Sequence, residues 1–326
     1  MSRSGWRCTV EDEGVNVIGL DIGGTKCAVV RADLEGIPHE VKRFPTTNVR
    51  DTLEEFYATI EEAGAGDQPV FGVSCGGPLD SEEGVILSPP NLPGWDRVPI
   101  VKELVDRFGG EAYLMNDANA GAIAEWKYGA AIGSRNAVFL TFGTGMGAGI
   151  ILDNRLYEGT SGYAGEVGHV RLAADGPVGY GKAGSFEGFC SGGGIGRLAQ
   201  AKAKELGGQV AFNPGSIEDI TARDVARAAE RGDPVATELL FTVGRYLGLG
   251  LSLLIDVLNP QVIVMGGIYS RCQKFLEPAM RRVLHEESLP QPLRDCRIVP
   301  AALGEDIGNY AAVAVARYRK GDFGRE

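Results

Sequence analysis

The residues Asn116-Asp117-Ala118-Asn119 set one carboxylate between amides, directly after the apolar run 112–115 and directly before a helical stretch. At such a strand-to-helix turn the amides can hold a substrate, and Asp117 can accept a proton from it. The same residue types also cap helices, because a side-chain oxygen satisfies an orphan amide of the first turn. Asp117 is therefore either a helix cap or a general base. The choice rests on whether the rest of the chain supplies it with a partner.

Two glycine-rich turns are candidates for that partner. Asp21-Ile22-Gly23-Gly24-Thr25-Lys26 closes the apolar run 15–20. Adjacent glycines let backbone N–H groups converge on an anion, while Thr25 adds a hydroxyl and Lys26 a cation. Asp21, at the strand end, is placed to hold Mg²⁺ through water. A plain hairpin turn explains the glycines but not the Asp, Thr and Lys crowded around them, so phosphate binding is the favoured reading. The run 141–149 holds Gly143, Thr144, Gly145, Gly147 and Gly149 and no charge, which suits close backbone approach to a ligand. Its spacing matches neither a Walker A motif nor a strict G-x-G-x-x-G. Residues 18–33 align without gaps on 138–153 at an offset of 120, with Gly23 on Gly143, Ala28 on Ala148 and Asp33 on Asp153. Two related halves are implied, each opening with a glycine-turned hairpin. Facing one another, the two turns would clamp a nucleotide tail.

Gly165-Glu166-Val167-Gly168-His169 sets a carboxylate and an imidazole three residues apart. The pair can hydrogen-bond vicinal hydroxyls of a sugar, although a lone histidine is also commonly structural. Gly266-Gly267, after the strand-like run 262–265, leaves room for an adenine ring, or is a simple strand-to-helix turn.

The elements that must position these residues read as strands alternating with helices, an α/β pattern whose strand-terminal glycine turns face a common crevice. Residues 1–14 read as a loose lead-in. Strands are expected at 15–20, 27–31, 43–47 (an edge strand, given Pro45), 69–74, 113–115, 137–142, 150–152 and 262–265. A capping box of Thr52 and Glu55 predicts a helix over 53–63, and a second helix covers 101–108. The helix after Asp117 ends at Gly129 as its C′ residue. Helical spacing covers 186–206, with Gly192-Gly193-Gly194 near its start. Thr221 or Asp219 caps a helix ending near Gly232. Asp233, with Pro234 in the first position, starts a helix over 234–258, apolar on most faces and hence buried. A last helix covers 307–318.

Composition narrows the class. At 326 residues, 44% hydrophobic and 23% charged, the chain suits a soluble protein with two cores. A net charge of −11 argues against a nucleic-acid partner. Six scattered cysteines without a CxxC pair suit reduced thiols in the cytoplasm. The polar start excludes a signal peptide, and no run of ~20 apolar residues is expected to span a membrane.

In order along the chain, 19–26, Cys75–Pro78 with Pro90-Asn91-Leu92, 116–119, 140–149, 165–169 and 259–267 resemble the ROK family of sugar kinases and sugar-responsive repressors. The resemblance implies the actin-like ATPase (ribonuclease H-like) fold, with two α/β domains around a central cleft. The domains would be 1–128, joined by the last helix (307–326), and 129–306. It implies ATP and Mg²⁺, with Asp117 as the base that deprotonates a hexose hydroxyl, by default the 6-hydroxyl of glucose. Gly77, Asn91, Asn116, Asp117, Glu166, His169 and Glu187 match sugar-contacting positions. Asp21, Gly23, Gly24, Thr25, Lys26, Gly143, Thr144 and Gly145 match the phosphate side, and Gly266 and Gly267 the adenosine side. Other hexoses (fructose, N-acetylglucosamine, N-acetylmannosamine) and polyphosphate as donor fit the same motifs. A homodimer follows from family habit. The family's repressors carry an N-terminal DNA-binding domain, for which 1–14 leaves too little chain, so the kinase is the expectation.

One departure is plain. Where many members carry a CxCGxxGCxE zinc motif, residues 178–187 read Val-Gly-Tyr-Gly-Lys-Ala-Gly-Ser-Phe-Glu. His169 alone cannot close a structural zinc site, so no zinc is expected. Tyr180 and Phe186 are expected to pack that loop apolarly instead.

Overall fold

The computed structural model describes residues 16–323. The expected lead-in at 1–14 and the end of the last predicted segment lie outside them. The first half runs β1 (Val17–Ile22), β2 (Lys26–Ala32), β3 (Pro38–Pro45), α1 (Val49–Ala63), β4 (Val70–Cys75), a small hairpin of β5 (Leu79–Asp80) and β6 (Val85–Ile86), α2 (Ile100–Phe108), β7 (Glu111–Asn116) and α3 (Asp117–Tyr128). The second half runs β8 (Ala137–Phe142), β9 (Met146–Leu152), β10 (Arg155–Leu156), a second hairpin of β11 (Val178–Gly179) and β12 (Lys182–Ala183), α4 (Phe186–Phe189), α5 (Gly192–Glu205), α6 (Ala222–Glu230), α7 (Pro234–Leu258), β13 (Val262–Met265), α8 (Ile268–Glu287), α9 (Pro290–Asp295), β14 (Arg297–Pro300) and α10 (Ile307–Lys320).

Each half is built on a five-stranded sheet. The strand orders are β3-β2-β1-β4-β7 and β10-β9-β8-β13-β14. In both, the hairpin strands are antiparallel and the later two are parallel to the first. The offset of 120 holds for both ends of β1 and β8 and of β2 and β9. Pairing does not follow the ungapped alignment, however. Ile22 pairs with Cys27, but Phe142 pairs with Met146. The first turn is thus one residue longer, and a one-residue change in register sends a side chain to the opposite face. Lys26 accordingly stands in solvent while its counterpart Met146 is 5% exposed in the core.

Helices exchange between the halves. α10 leaves the second sheet and lies on the first so closely that a Cβ on Gly72 would sit 2.1 Å from the Ala312 carbonyl oxygen. α3 leaves the first sheet and lies on the second, where a Cβ on Gly149 would sit 2.3 Å from the Ala118 oxygen. The two helices also meet each other, with the Tyr128 and Tyr310 rings 5.4 Å apart.

Several helix boundaries differ from the sequence reading. α1 starts earlier than the Thr52–Glu55 box predicts, because Asn48 is the cap and accepts from Asp51 N at 3.0 Å. Thr52 lies inside the first turn, where its hydroxyl accepts from Thr47 N. Gly129 does end α3, with φ −130°. The left-handed geometry of a C′ glycine is absent there. The single helix expected over 186–206 is two, capped by Ser185 and Ser191. α7 begins as expected, with Asp233 accepting from Ala236 N at 2.8 Å and Pro234 at the start. By length and composition alone it could cross a membrane, as buried core helices also can, and its apolar residues largely pack inside. Its Leu240, Val243, Leu247, Leu251 and Ile255 fill the second core, while Leu253 and Val257 remain exposed.

Candidate active site

The site forms where the carboxyl ends of β1, β4 and β7 meet the turn of the second hairpin. β7 ends at Asn116, and the chain turns there directly into α3. Asn116 is the cap: its Oδ1 accepts from Ala118 N at 2.9 Å. Asp117 is the first helical residue, exposed as a whole although protein atoms crowd its carboxylate. The cap and the candidate base are two different residues. Surrounding protein raises the Asp117 carboxyl above its ordinary 3.8, opposed by the Ala118 and Asp117 amides at the helix start.

Asn91 and Gly77 converge on this point. Around Asp117 Oδ2, a Cβ on Gly76 would lie 3.9 Å away and 3.5 Å from Asn91 Nδ2. A Cβ on Gly77 would lie 3.3 Å from Asn116 Nδ2. The first glycine turn closes against the same loop. A Cβ on Gly24 would lie 2.5 Å from the Asn91 carbonyl oxygen, so only glycine allows this approach. The turn is held by Gly23 N donating to Lys26 O at 3.1 Å and by Thr46 N donating to Thr25 O at 3.0 Å.

Asp21 sits at the start of α10, where a Cβ on Gly308 would lie 2.2 Å from Asp21 Oδ2. Burial, and then the charge of Asp117, push the Asp21 carboxyl up to about 6, against the pull of Arg43 and Lys26. Two carboxylates facing one cleft, one of them held at this cost, form a donor set that suits a hydrated divalent cation.

Glu166 precedes a short 3-10 turn, Val167–His169. Its carboxyl is raised by burial, then by Glu187 and Asp117, with His169 opposing. Those four side chains therefore share the cleft. Glu187 lies in the first turn of α4, and its Oε2 accepts from Met146 N at 3.1 Å, bracing the second glycine turn. The His169 ring is exposed and meets Tyr180 edge-on, while Lys182 Nζ donates to the His169 carbonyl at 2.7 Å.

The loop where zinc ligands were missed departs from expectation in one respect. Phe186 is buried, but Tyr180 is 72% exposed at the tip of the β11–β12 hairpin. Arg171 Nη1 donates to Ala183 O at 2.7 Å, so the loop is closed by backbone pairing and cation–carbonyl ties with Tyr180 outside. Among the described residues, no three of His, Cys, Asp and Glu gather as a metal cluster.

On the second half, Gly143, Thr144 and Gly145 abut two further glycine segments. Gly192 N donates to Gly143 O at 2.7 Å and Gly193 N to Thr144 O at 3.3 Å. A Cβ on Gly267 would lie 2.1 Å from the Phe142 oxygen, which places Gly266-Gly267 against the same turn. Sequence reasoning missed the part played by Ser191 to Gly194, treating it only as an oddity of helical spacing. The available signal was a serine before three glycines, which is a cap followed by residues that permit close backbone approach.

The chain is similar to known proteins over most of its length. The ROK family model matches residues 17–319. A glucokinase of Thermotoga maritima is 30% identical over 94% of this chain and 99% of its own. A glucokinase of Streptomyces coelicolor is 32% identical over 92% and 97%. A solved ROK glucokinase from Streptomyces griseus, in complex with glucose and AMPPNP, superposes with a TM-score of 0.76 at 30% identity, covering 93% of this chain and 99% of that one. A xylose repressor of Caldicellulosiruptor bescii is 26% identical over 84% of this chain. The chain belongs to the ROK family and has the actin-like ATPase fold.

Proposed function

We propose that this ROK-family sugar kinase transfers the γ-phosphoryl group of ATP to the 6-hydroxyl of a hexose, with glucose as its substrate. The observation that carries the reading is the division of labour at the β7–α3 turn. Asn116 Oδ1 accepts from the Ala118 amide, and the Asp117 carboxylate, steadied by the same helix start, lies beside Asn91 and Gly77. The 30–32% identity to glucokinases over nearly the whole chain supports glucose.

In this reading Asn91, Asn116, Glu166 and His169 hold the sugar hydroxyls. Asp117 takes the proton of the attacking hydroxyl as its oxygen bonds to the γ-phosphorus and the oxygen bridging to ADP departs. The raised Asp117 carboxyl is a stronger base than an ordinary aspartate. The turns at 23–26 and 143–145 carry the phosphates on backbone donors and Lys26, with Gly266-Gly267 beside the adenosine. Asp21 would hold Mg²⁺ through water, and the ion supplies neutralisation of phosphate charge when bound. Catalysis is then mostly positioning and electrostatics.

The test is coupled ADP release with glucose, fructose, mannose, N-acetylglucosamine and N-acetylmannosamine, with ATP or polyphosphate as donor. Turnover on glucose with ATP is expected to dominate. Absence of turnover on every sugar would overturn the reading.

A further inference from the structure

Glu125 has no part in the site, yet it is 0% exposed. It lies two turns along α3 from Asp117, near the end of the helix that carries the chain from the first sheet to the second and just before the link 129–136 into β8. Its Oε2 accepts from Ala130 N at 2.7 Å, inside that link. The same carboxylate accepts from Ala302 N at 3.2 Å and Leu303 N at 3.0 Å, which lie in the return crossing between β14 and α10. Its backbone carbonyl accepts from Gly129 N at 3.1 Å and Ala131 N at 3.0 Å. The next residue adds to the anchor, with Trp126 Nε1 donating to Ser134 O at 2.8 Å. The position of Gly129 fits this arrangement, since a Cβ there would lie 2.1 Å from Glu125 Oε2.

One buried side chain thus ties together the links that follow α3 and precede α10, the two helices exchanged between the halves. A buried carboxylate is retained where its oxygens are met by several donors, and three amides meet it here. We propose that Glu125 is a positioning residue: it latches the α3–β8 link and the β14–α10 crossover to the end of α3, so that movement of the halves about the cleft carries Asp117 with a fixed register. Glutamine distinguishes this role from simple space-filling. It offers one acceptor oxygen in place of two, and its NH₂ must face an amide N–H. With that oxygen in the Oε2 position, the ties to Ala130 and Ala302 persist and the tie to Leu303 is lost.

The proposal rests on the kinase reading only for its activity arm. The experiment compares full-length wild type, Glu125→Gln and Gly129→Ala, which displaces the carboxylate while keeping its charge. Amide hydrogen exchange is followed at 130 and 302–303, together with steady-state kinetics normalised to folded protein. Expected are faster exchange at 303 in both variants, with 302 also faster in Gly129→Ala, and a fall in kcat of about tenfold, with the sugar KM within about twofold of wild type. Unchanged exchange at 302–303 would overturn the latch. So would faster exchange with kcat within about twofold of wild type, because the residue would then be structural only. If wild type turns over no sugar, the kinase reading fails while the exchange arm still decides the latch. Should Glu125→Gln not fold, Gly129→Ala decides by the same readouts.

Discussion

Replacing Asp21 by Asn should make the protein more stable at neutral pH while impairing its function. In the folded protein burial and Asp117 raise this carboxyl from 3.8 to about 6. The folded state therefore holds the proton more tightly than the unfolded chain does. Stability from this group is complete below pH 3.8, declines as pH rises, and is fully lost above about 6. At about 1.4 kcal/mol for each tenfold difference in proton affinity, the ionised Asp21 costs about 3 kcal/mol at pH 7.5 and about half of that at pH 5. Asparagine keeps the shape and removes that cost. Urea unfolding in magnesium-free buffer at the two pH values reads the difference directly. The variant is expected to exceed wild type by about 3 kcal/mol at pH 7.5, and the gap is expected to halve at pH 5. Equal stability at pH 7.5, or a gap that ignores pH, would refute the electrostatic account. The same variant should lose most MgATP-dependent turnover, the common outcome when a strained functional group is relieved.

Other perturbations probe the remaining parts of the site. Asp117→Asn should lower turnover by about 10²–10⁴-fold while calorimetry still detects the sugar, and near-normal turnover would show that another group is the base. Because burial raises the Asp117 carboxyl, activity should disappear as pH falls through a value above the ordinary 3.8; an acid limb in kcat/KM centred at or below 3.8 would contradict this. Ser191→Ala removes the hydroxyl that accepts from Gly194 N at 2.9 Å, so it should cost about 1 kcal/mol of stability. It should also raise KM for ATP more than for the sugar, since the same helix start holds Gly143 and Thr144; a selective effect on the sugar would count against that placement. Elemental analysis of protein purified without chelator should find far less than one zinc per chain, and one equivalent would restore the metal site that residues 178–187 lack.

Much of the architecture was legible because it depends on local chemistry. Uninterrupted apolar runs ending in glycine or proline located β8 and β13 to the residue. Asp233 followed by Pro234 located the start of α7, and the offset of 120 pointed to two related halves, each opening with a glycine-turned hairpin. The residue types of the site were readable for the same reason. Glycine doublets, an aspartate between amides and a Glu/His pair state what chemistry a chain can perform, wherever its other parts lie. The break between α4 and α5 was less visible, since helical spacing continues across Cys190 and Ser191. It took the Ser191 cap to show that a new helix begins there.

What only the tertiary structure decided is which of several suitable groups takes each role. By itself the sequence left Asp117 as either the helix cap or the base. The turn geometry assigns the amide to the cap and leaves the carboxylate to the cleft. The ungapped repeat did not reveal the extra residue in the first turn that turns Lys26 outward. Nothing near Glu125 indicated that its partners lie 177 and 178 residues further along. The cause is the same in each case. Propensity and capping act over a few residues, whereas the raised Asp21 carboxyl, the shared field of Asp117, Glu166 and Glu187, and the ties at Glu125 arise from burial and distance between segments remote in sequence.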